Sequence, residues 1–252
     1  MRLLLLSDIH ANLEALEACL DAAPEYDAVA CLGDVVGYGG SPNQTLDLVR
    51  AINPILVRGN HDRACSGLEN TDRFNPVAAA AALWTQQQLS DRNLDWLRAL
   101  PKGPVRHERW KNACFVHGSP VHEDAYITSN GAAGEALQQE EAAFTFFGHT
   151  HVQGAFAWSN GKAEAVTAEP MRTASRLHAT RIKLAPEKRY LFNPGSVGQP
   201  RDLDRRAAFA LYDTVKHEVR FYRTPYDIKR AQQRILEAGL PKALAFRLEE
   251  GR

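Results

Sequence analysis

Gly59-Asn60-His61-Asp62 stands directly after the apolar run Pro54-Ile55-Leu56-Val57. The run reads as a buried strand that ends in a tight turn at Gly59. Three side chains able to bind a metal ion or move a proton follow at its end. In α/β folds the loops at strand ends carry the chemistry. Four more segments repeat the arrangement: Ser7-Asp8-Ile9-His10, Gly33-Asp34, Val116-His117-Gly118 and Gly148-His149-Thr150-His151. Each follows an apolar run, and each offers Asp or His.

The chain around these segments has a readable order. Residues 2–6 form a strand apolar on both faces, as in a covered sheet. Residues 12–22 have helical spacing, with Leu13, Leu16 and Leu20 inward, Glu14 and Glu17 outward, Asn12 as N-cap and Pro24 as stop. Residues 28–32 are a second strand, ending at Gly33-Asp34. Leu46, Val49 and Ile52 mark the buried side of the next helix, and residues 54–57 are the third strand. This β-α-β-α-β succession specifies a parallel sheet with right-handed crossovers.

Residues 64–100 read as mainly helical, with starts at Asn75-Pro76 and Ser90 and a stop at 101–104. Residues 105–108 and 112–116 suggest short strands around a turn. Residues 123–141 suggest a polar loop and then a helix, and residues 144–147 a strand leading into Gly148-His149. Asn160-Gly161 signals a hairpin. Strands are expected over 181–184, 190–193, 207–212 and 218–222, with a closing helix over 226–236. The stretch 165–180 is ambiguous. The expectation is one α/β domain over residues 1–252: a four-layer α/β/β/α sandwich of two mixed sheets flanked by helices, with a helical insert at about 64–104.

Composition narrows the function. Lys and Arg number 30, as do Asp and Glu, and the pI is near 7.1. No global charge favours nucleic acid or a membrane surface. No run approaches the ~20 apolar residues that span a bilayer, so a cytoplasmic protein is expected. Cys19, Cys31, Cys65 and Cys114 form no CxxC pair and read as reduced and buried.

Five of the nine histidines and three aspartates fall in the five strand-end segments. Neutral imidazole with carboxylate oxygen is the ligand set of Zn, Mn, Fe or Ni. Thiolates are absent from the segments, which excludes a Cys-rich structural zinc site. The donors exceed what one tetrahedral ion uses. Two ions ~3.5–4 Å apart, sharing a carboxylate, would use them. Arg58 and Arg63 flank the central segment and are candidates to hold a phosphate, as exposed salt bridges are the alternative. Tyr38 and Tyr126 are candidates to stack on a base or aryl group, or simply to pack.

Taken in order, Asp8-x-His10, Gly33-Asp34, Gly59-Asn60-His61-Asp62, Val116-His117-Gly118 and Gly148-His149-Thr150-His151 resemble the calcineurin-like metallophosphoesterases. The stretch Asn193-Pro194-Gly195-Ser196-Val197-Gly198-Gln199-Pro200-Arg201 resembles their small bacterial and archaeal branch. The resemblance implies that Asp8, His10 and His151 hold one metal ion, that Asn60, His117 and His149 hold a second, and that Asp34 bridges. It implies that His61 assists the leaving oxygen or contacts the phosphate, with Asp62 orienting it, and that a metal-bridging hydroxide attacks phosphorus in line. Two divalent transition-metal ions are the implied cofactors, Mn first, with Fe, Zn, Ni or Co as alternatives. The implied substrates are phosphate esters, with diesters of small molecules or nucleotides preferred. A phosphomonoesterase, a protein phosphatase or a metal-bound interaction module without turnover is the alternative. Asn12, Arg58 and Arg63 are the candidate substrate contacts.

Overall fold

The computed structural model describes residues 1–173 and 177–252. Its core starts from the leucine run of β1 (Arg2–Leu6). Side chains alternate across a strand, so Leu3 and Leu5 face one layer and Leu4 and Leu6 the other. All four are fully buried. Leu4 and Leu6 pack with Leu16 and Cys19 of α1 (Leu13–Ala22) and with Leu46 and Val49 of α2 (Pro42–Ile52). Leu3 and Leu5 pack with Phe115, Phe146, Tyr190 and Phe192 of a second sheet. Burial on both faces is why these strands read as unbroken apolar runs. Each such leucine contributes about 1.5–3 kcal/mol of transfer free energy.

The result is an α/β fold of two mixed sheets flanked by helices. β2 (Ala28–Cys31) and β3 (Ile55–Leu56) run parallel to β1 on one side of it. The helices α3 (Asn60–Cys65), α4 (Pro76–Gln88) and α5 (Asp91–Arg98) follow, and beyond β4 (Ala113–Phe115) comes α6 (Asn130–Gln139). Next come β5 (Phe144–Phe146), β6 (Gly154–Ser159), β7 (Lys162–Ala165), β8 (Glu169–Met171) and β9 (His178–Lys183). β10 (Arg189–Asn193), β11 (Ala207–Asp213) and β12 (Glu218–Thr224) precede α7 (Ile228–Glu237) and α8 (Lys242–Glu250). The first sheet has the order β3-β2-β1-β11-β12-β9-β8, and the second β4-β5-β10-β6-β7. Helix α6 covers the outer face of the second sheet through Ala133 and Leu137 against Cys114 and Leu191.

Several expectations need correction. The strand expected over 105–108 is a single bridge, Val105 to Phe115, followed by a 3-10 turn at Glu108–Trp110. Glu14 is not outward. It is buried and ion-paired with Arg230 and Arg234 of α7. The chain does not close with one helix, because α8 follows α7 and packs against it. Part of the ambiguous 165–180 stretch, residues 174–176, lies outside the described residues. All four cysteines are free and buried, as expected. Among the described residues no helix is long and apolar enough to cross a membrane.

Candidate metal centre

The five segments follow the C-terminal ends of β1 to β5, and the sheets bring those ends together. Backbone bonds lace the loops. The Asp8 amide donates to the Gly33 carbonyl at 3.0 Å, His10 to Asp34 at 3.0 Å, and Gly148 to His117 at 2.8 Å. Two glycines are required by the closeness of approach. A Cβ on Gly59 would lie 2.0 Å from Asp34 Oδ1, and one on Gly148 1.9 Å from Ser7 Oγ. The loops are also strained. Asp8, His10, Asp34, His149 and His151 all have φ between 50° and 66°, a region costly for residues with a Cβ. Such strain persists only where surrounding structure enforces it.

Two clusters of donor atoms share Asp34. One is Asp8, His10, Asp34 and His151; the other is Asp34, His117 and His149. All these side chains are buried. Asn60 joins the second cluster, its Oδ1 3.2 Å from His117 Nε2.

The tautomers reveal what the clusters face. His10 Nδ1 pairs with the Val36 carbonyl at 3.1 Å, and His151 Nδ1 with the Gln199 carbonyl at 2.6 Å. A carbonyl only accepts, so both Nδ1 atoms carry hydrogen, and in the neutral rings both Nε2 atoms offer lone pairs. Those two Nε2 atoms are 3.1 Å apart, and Asp8 Oδ1 is 3.3 Å from that of His151. Burial holds the pKa of both rings well below the ordinary histidine value, so neither is protonated at neutral pH. Two imidazole lone pairs and a carboxyl oxygen therefore converge, which is the donor set a divalent cation satisfies. The carbonyl partners fix ring orientation in the manner usual for metal-ligating histidines.

The second cluster resolves its charge differently. His117 Nδ1 donates to the Leu32 carbonyl at 2.7 Å, and its Nε2 is 3.4 Å from Asp34 Oδ2 and 3.1 Å from His149 Nδ1. Burial opposes a charge on His117, but the Asp34 carboxylate outweighs it and raises the pKa to about 10. Burial would raise Asp34 as well, yet His117 first, then His61 and His10, hold it well below the carboxylate range. Asp8 is pushed up to about 7, mainly by burial, and His149 down to about 3 for the same reason. A proton on His117 thus supplies the positive charge that a metal ion would supply on coordination.

Four candidates have further partners in the structure. Asp62 does not touch the His61 ring. Its carboxylate accepts from the amides of Asp34 at 2.8 Å, Val35 at 2.9 Å, Val36 at 3.3 Å and Gly59 at 2.9 Å, so it fixes the loops that carry Asp34 and His61. Asn12 caps α1 through its Oδ1, and its Nδ2 donates to the Gly198 carbonyl at 2.9 Å and to the Tyr226 hydroxyl at 3.3 Å, which occupies both its donors. Arg58 is paired with Glu123, and Arg63 with Glu69, Glu123 and Asp124. Those ion pairs neutralise both guanidinium groups.

His61 lies 4.3 Å from Tyr38 and 4.7 Å from Phe74, ring to ring. Its Nδ1 is buried with no hydrogen-bond partner. Burial lowers its pKa to about 4, so it is a neutral imidazole at physiological pH. A cavity of about 280 Å³ opens beside it, lined in part by Asn60, His61, His149, Tyr38, Phe74 and Tyr126. Tyr126 stacks on His149 at 3.9 Å and is half exposed. The aromatic wall from Phe74 was not foreseen, since nothing in its local sequence points toward the centre.

With this geometry, the sequence comparison becomes decisive: residues 1–217 match the calcineurin-like phosphoesterase superfamily domain. The chain belongs to that superfamily. It is 35% identical to an uncharacterized protein of Methanocaldococcus jannaschii, MJ0912, over 98% of this chain and 97% of the other. It is 36% identical to a metallophosphoesterase from Sphaerobacter thermophilus whose crystal structure matches with a TM-score of 0.84, covering 100% and 99% of the two chains. A hypothetical protein from Pyrococcus horikoshii, PH1004, shares the fold at 20% identity, with a TM-score of 0.77 over 100% and 98%. The superfamily acts on phosphate esters, and the buried clusters are residues able to bind metal ions.

Proposed function

We propose that this chain is a dinuclear metal-dependent phosphoesterase that hydrolyses phosphate esters of small molecules or nucleotides, diesters in preference. The observation that carries the reading is the set of convergent lone pairs on His10, His151 and Asp8, continued through Asp34 to His117, His149 and Asn60. In this reading Asp8, His10 and His151 hold one ion, Asn60, His117 and His149 a second, and Asp34 bridges. Divalent ions, manganese first, would there supply Lewis-acid polarisation and an acidified water.

The chain's own residues supply the rest. Asp62 keeps Asp34 and the start of α3 in register. His61 faces the cavity as a neutral ring whose N–H is offered to a phosphate oxygen or the leaving oxygen. Its low pKa makes it a donor of one hydrogen bond rather than a permanent charge. Tyr126 and Phe74 give the leaving group an apolar wall, and the cavity suits a compact organic group. The free buried cysteines accord with a reducing compartment, which for this reading is the cytoplasm.

The test is turnover of bis(nitrophenyl) phosphate and nitrophenyl phosphate by metal-stripped protein resupplied with Mn, Fe, Zn, Ni or Co in turn. The diester should be cleaved faster, with Mn among the supporting ions. A protein that binds the ions and cleaves neither ester would be an interaction module instead.

A further inference from the structure

Two arginines near the centre lack the neutralisation given to Arg58 and Arg63. Arg201 follows β10, its amide donating to the carbonyl of His151 at 3.2 Å. Its Nη2 donates to Gln199 Oε1 at 2.9 Å, while its Nε is buried with no partner. Arg247 projects from α8. Its Nε donates to the Arg252 carbonyl. The Arg201 and Arg247 guanidinium carbons lie 5.8 and 5.9 Å from the centroid of the Tyr38 ring. Among the described residues, neither is ion-paired with an Asp or Glu side chain. Tyr38 in turn is 4.7 Å from His10 and 4.3 Å from His61, ring to ring.

Two half-buried cations of like charge on one tyrosine are costly unless an anion joins them. Burial and then the Arg201 charge hold the Arg247 pKa below its ordinary value, the mark of a charge left uncompensated. Arg–anion hydrogen bonds are strong and directional. We propose that Arg201 and Arg247 form an anion subsite at the Tyr38 wall, which takes a second negatively charged group of the substrate while the reacting phosphate lies at the metal centre. The inference rests on the phosphoesterase reading and deepens it: the preferred ester carries a further anionic group on a short chain. The family match ends at residue 217, so Arg201 lies within the matched domain and Arg247, on α8, beyond it.

The test uses two non-hydrolysable ligands on the manganese-loaded protein, read by calorimetry. Methylphosphonate offers one anionic group, and 3-phosphonopropionate adds a carboxylate. The wild type should bind the second about tenfold more tightly, of the order expected for a charge-assisted pair. Arg247→Ala should erase that advantage while leaving methylphosphonate affinity, metal content and melting temperature within error. Arg247→Lys should retain part of it, and serves if the alanine variant is unstable. Arg201→Ala should also diminish it. Equal affinities in the wild type, or an advantage that survives Arg247→Ala, would overturn the subsite. Esters that are never cleaved despite the phosphonate difference would sink the phosphoesterase reading alone.

Discussion

At the scale of single residues, His61 and Asp62 are neighbours in sequence with separate tasks. His61 contacts the cavity but no ligand lone pair is asked of it. His61→Gln should therefore lower kcat by roughly 10²–10⁴ while two-ion occupancy, checked by elemental analysis, stays near wild type. The loss should be smaller for a nitrophenolate leaving group than for an alkoxide, since the former needs less help from a proton. Loss of metal in this variant would instead make His61 a ligand. Asp62 accepts from four backbone amides, and Asp62→Ala would leave those buried donors unpaired. It should cost at least about 3 kcal/mol, read as a fall in thermal or urea stability, and Asp62→Asn should cost less because it keeps an acceptor. The ligand candidates were legible because each stands directly after an apolar run. For Arg58 and Arg63, left open between phosphate contact and salt bridge, the sequence could not name the partners for the opposite reason. Their partners Glu123 and Asp124 lie some 60 residues on, and sequence proximity to Asn60 says nothing of them.

At the scale of elements, the strands and helices of the first 60 residues were legible because period and caps agreed. Asn12, Asn75 and Ser90 each accept a hydrogen bond from the third residue of their helix. What escaped was set by tertiary contact. Glu14 is buried because α7, more than 200 residues later, brings Arg230 and Arg234 to it. The motif Asn60-His61-Asp62 was expected in a loop, yet it forms the first turn of α3, with its helix start fixed by Asp62 on the Gly59 amide. The helical insert meets the centre through the connector before α4, where Phe74 touches His61. Phe74→Ala should raise KM for nitrophenyl diesters by roughly 3–10-fold, the worth of an aromatic contact, with kcat and metal content nearly unchanged. An unaltered KM would leave Phe74 as packing only.

At the scale of the whole molecule, two sheets packed face to face bring their strand ends to a centre that gathers Asp8, Asp34 and five histidines. In the proposed reading cations bind the converging lone pairs, and ligands that bind only the folded state raise its stability. Removing metal with a chelator should therefore lower the melting temperature reversibly, and an unchanged value after verified removal would mean the hydrogen bonds alone preform the site. The central claim is that these side chains build a two-ion hydrolytic centre. It is tested most directly by adding manganese in steps to metal-stripped protein and plotting turnover of bis(nitrophenyl) phosphate against ions bound per chain. The account predicts activity that rises to a plateau at two ions, and in Asp34→Ala neither full occupancy nor that plateau. A plateau at one ion, or two ions bound with no turnover, would contradict it.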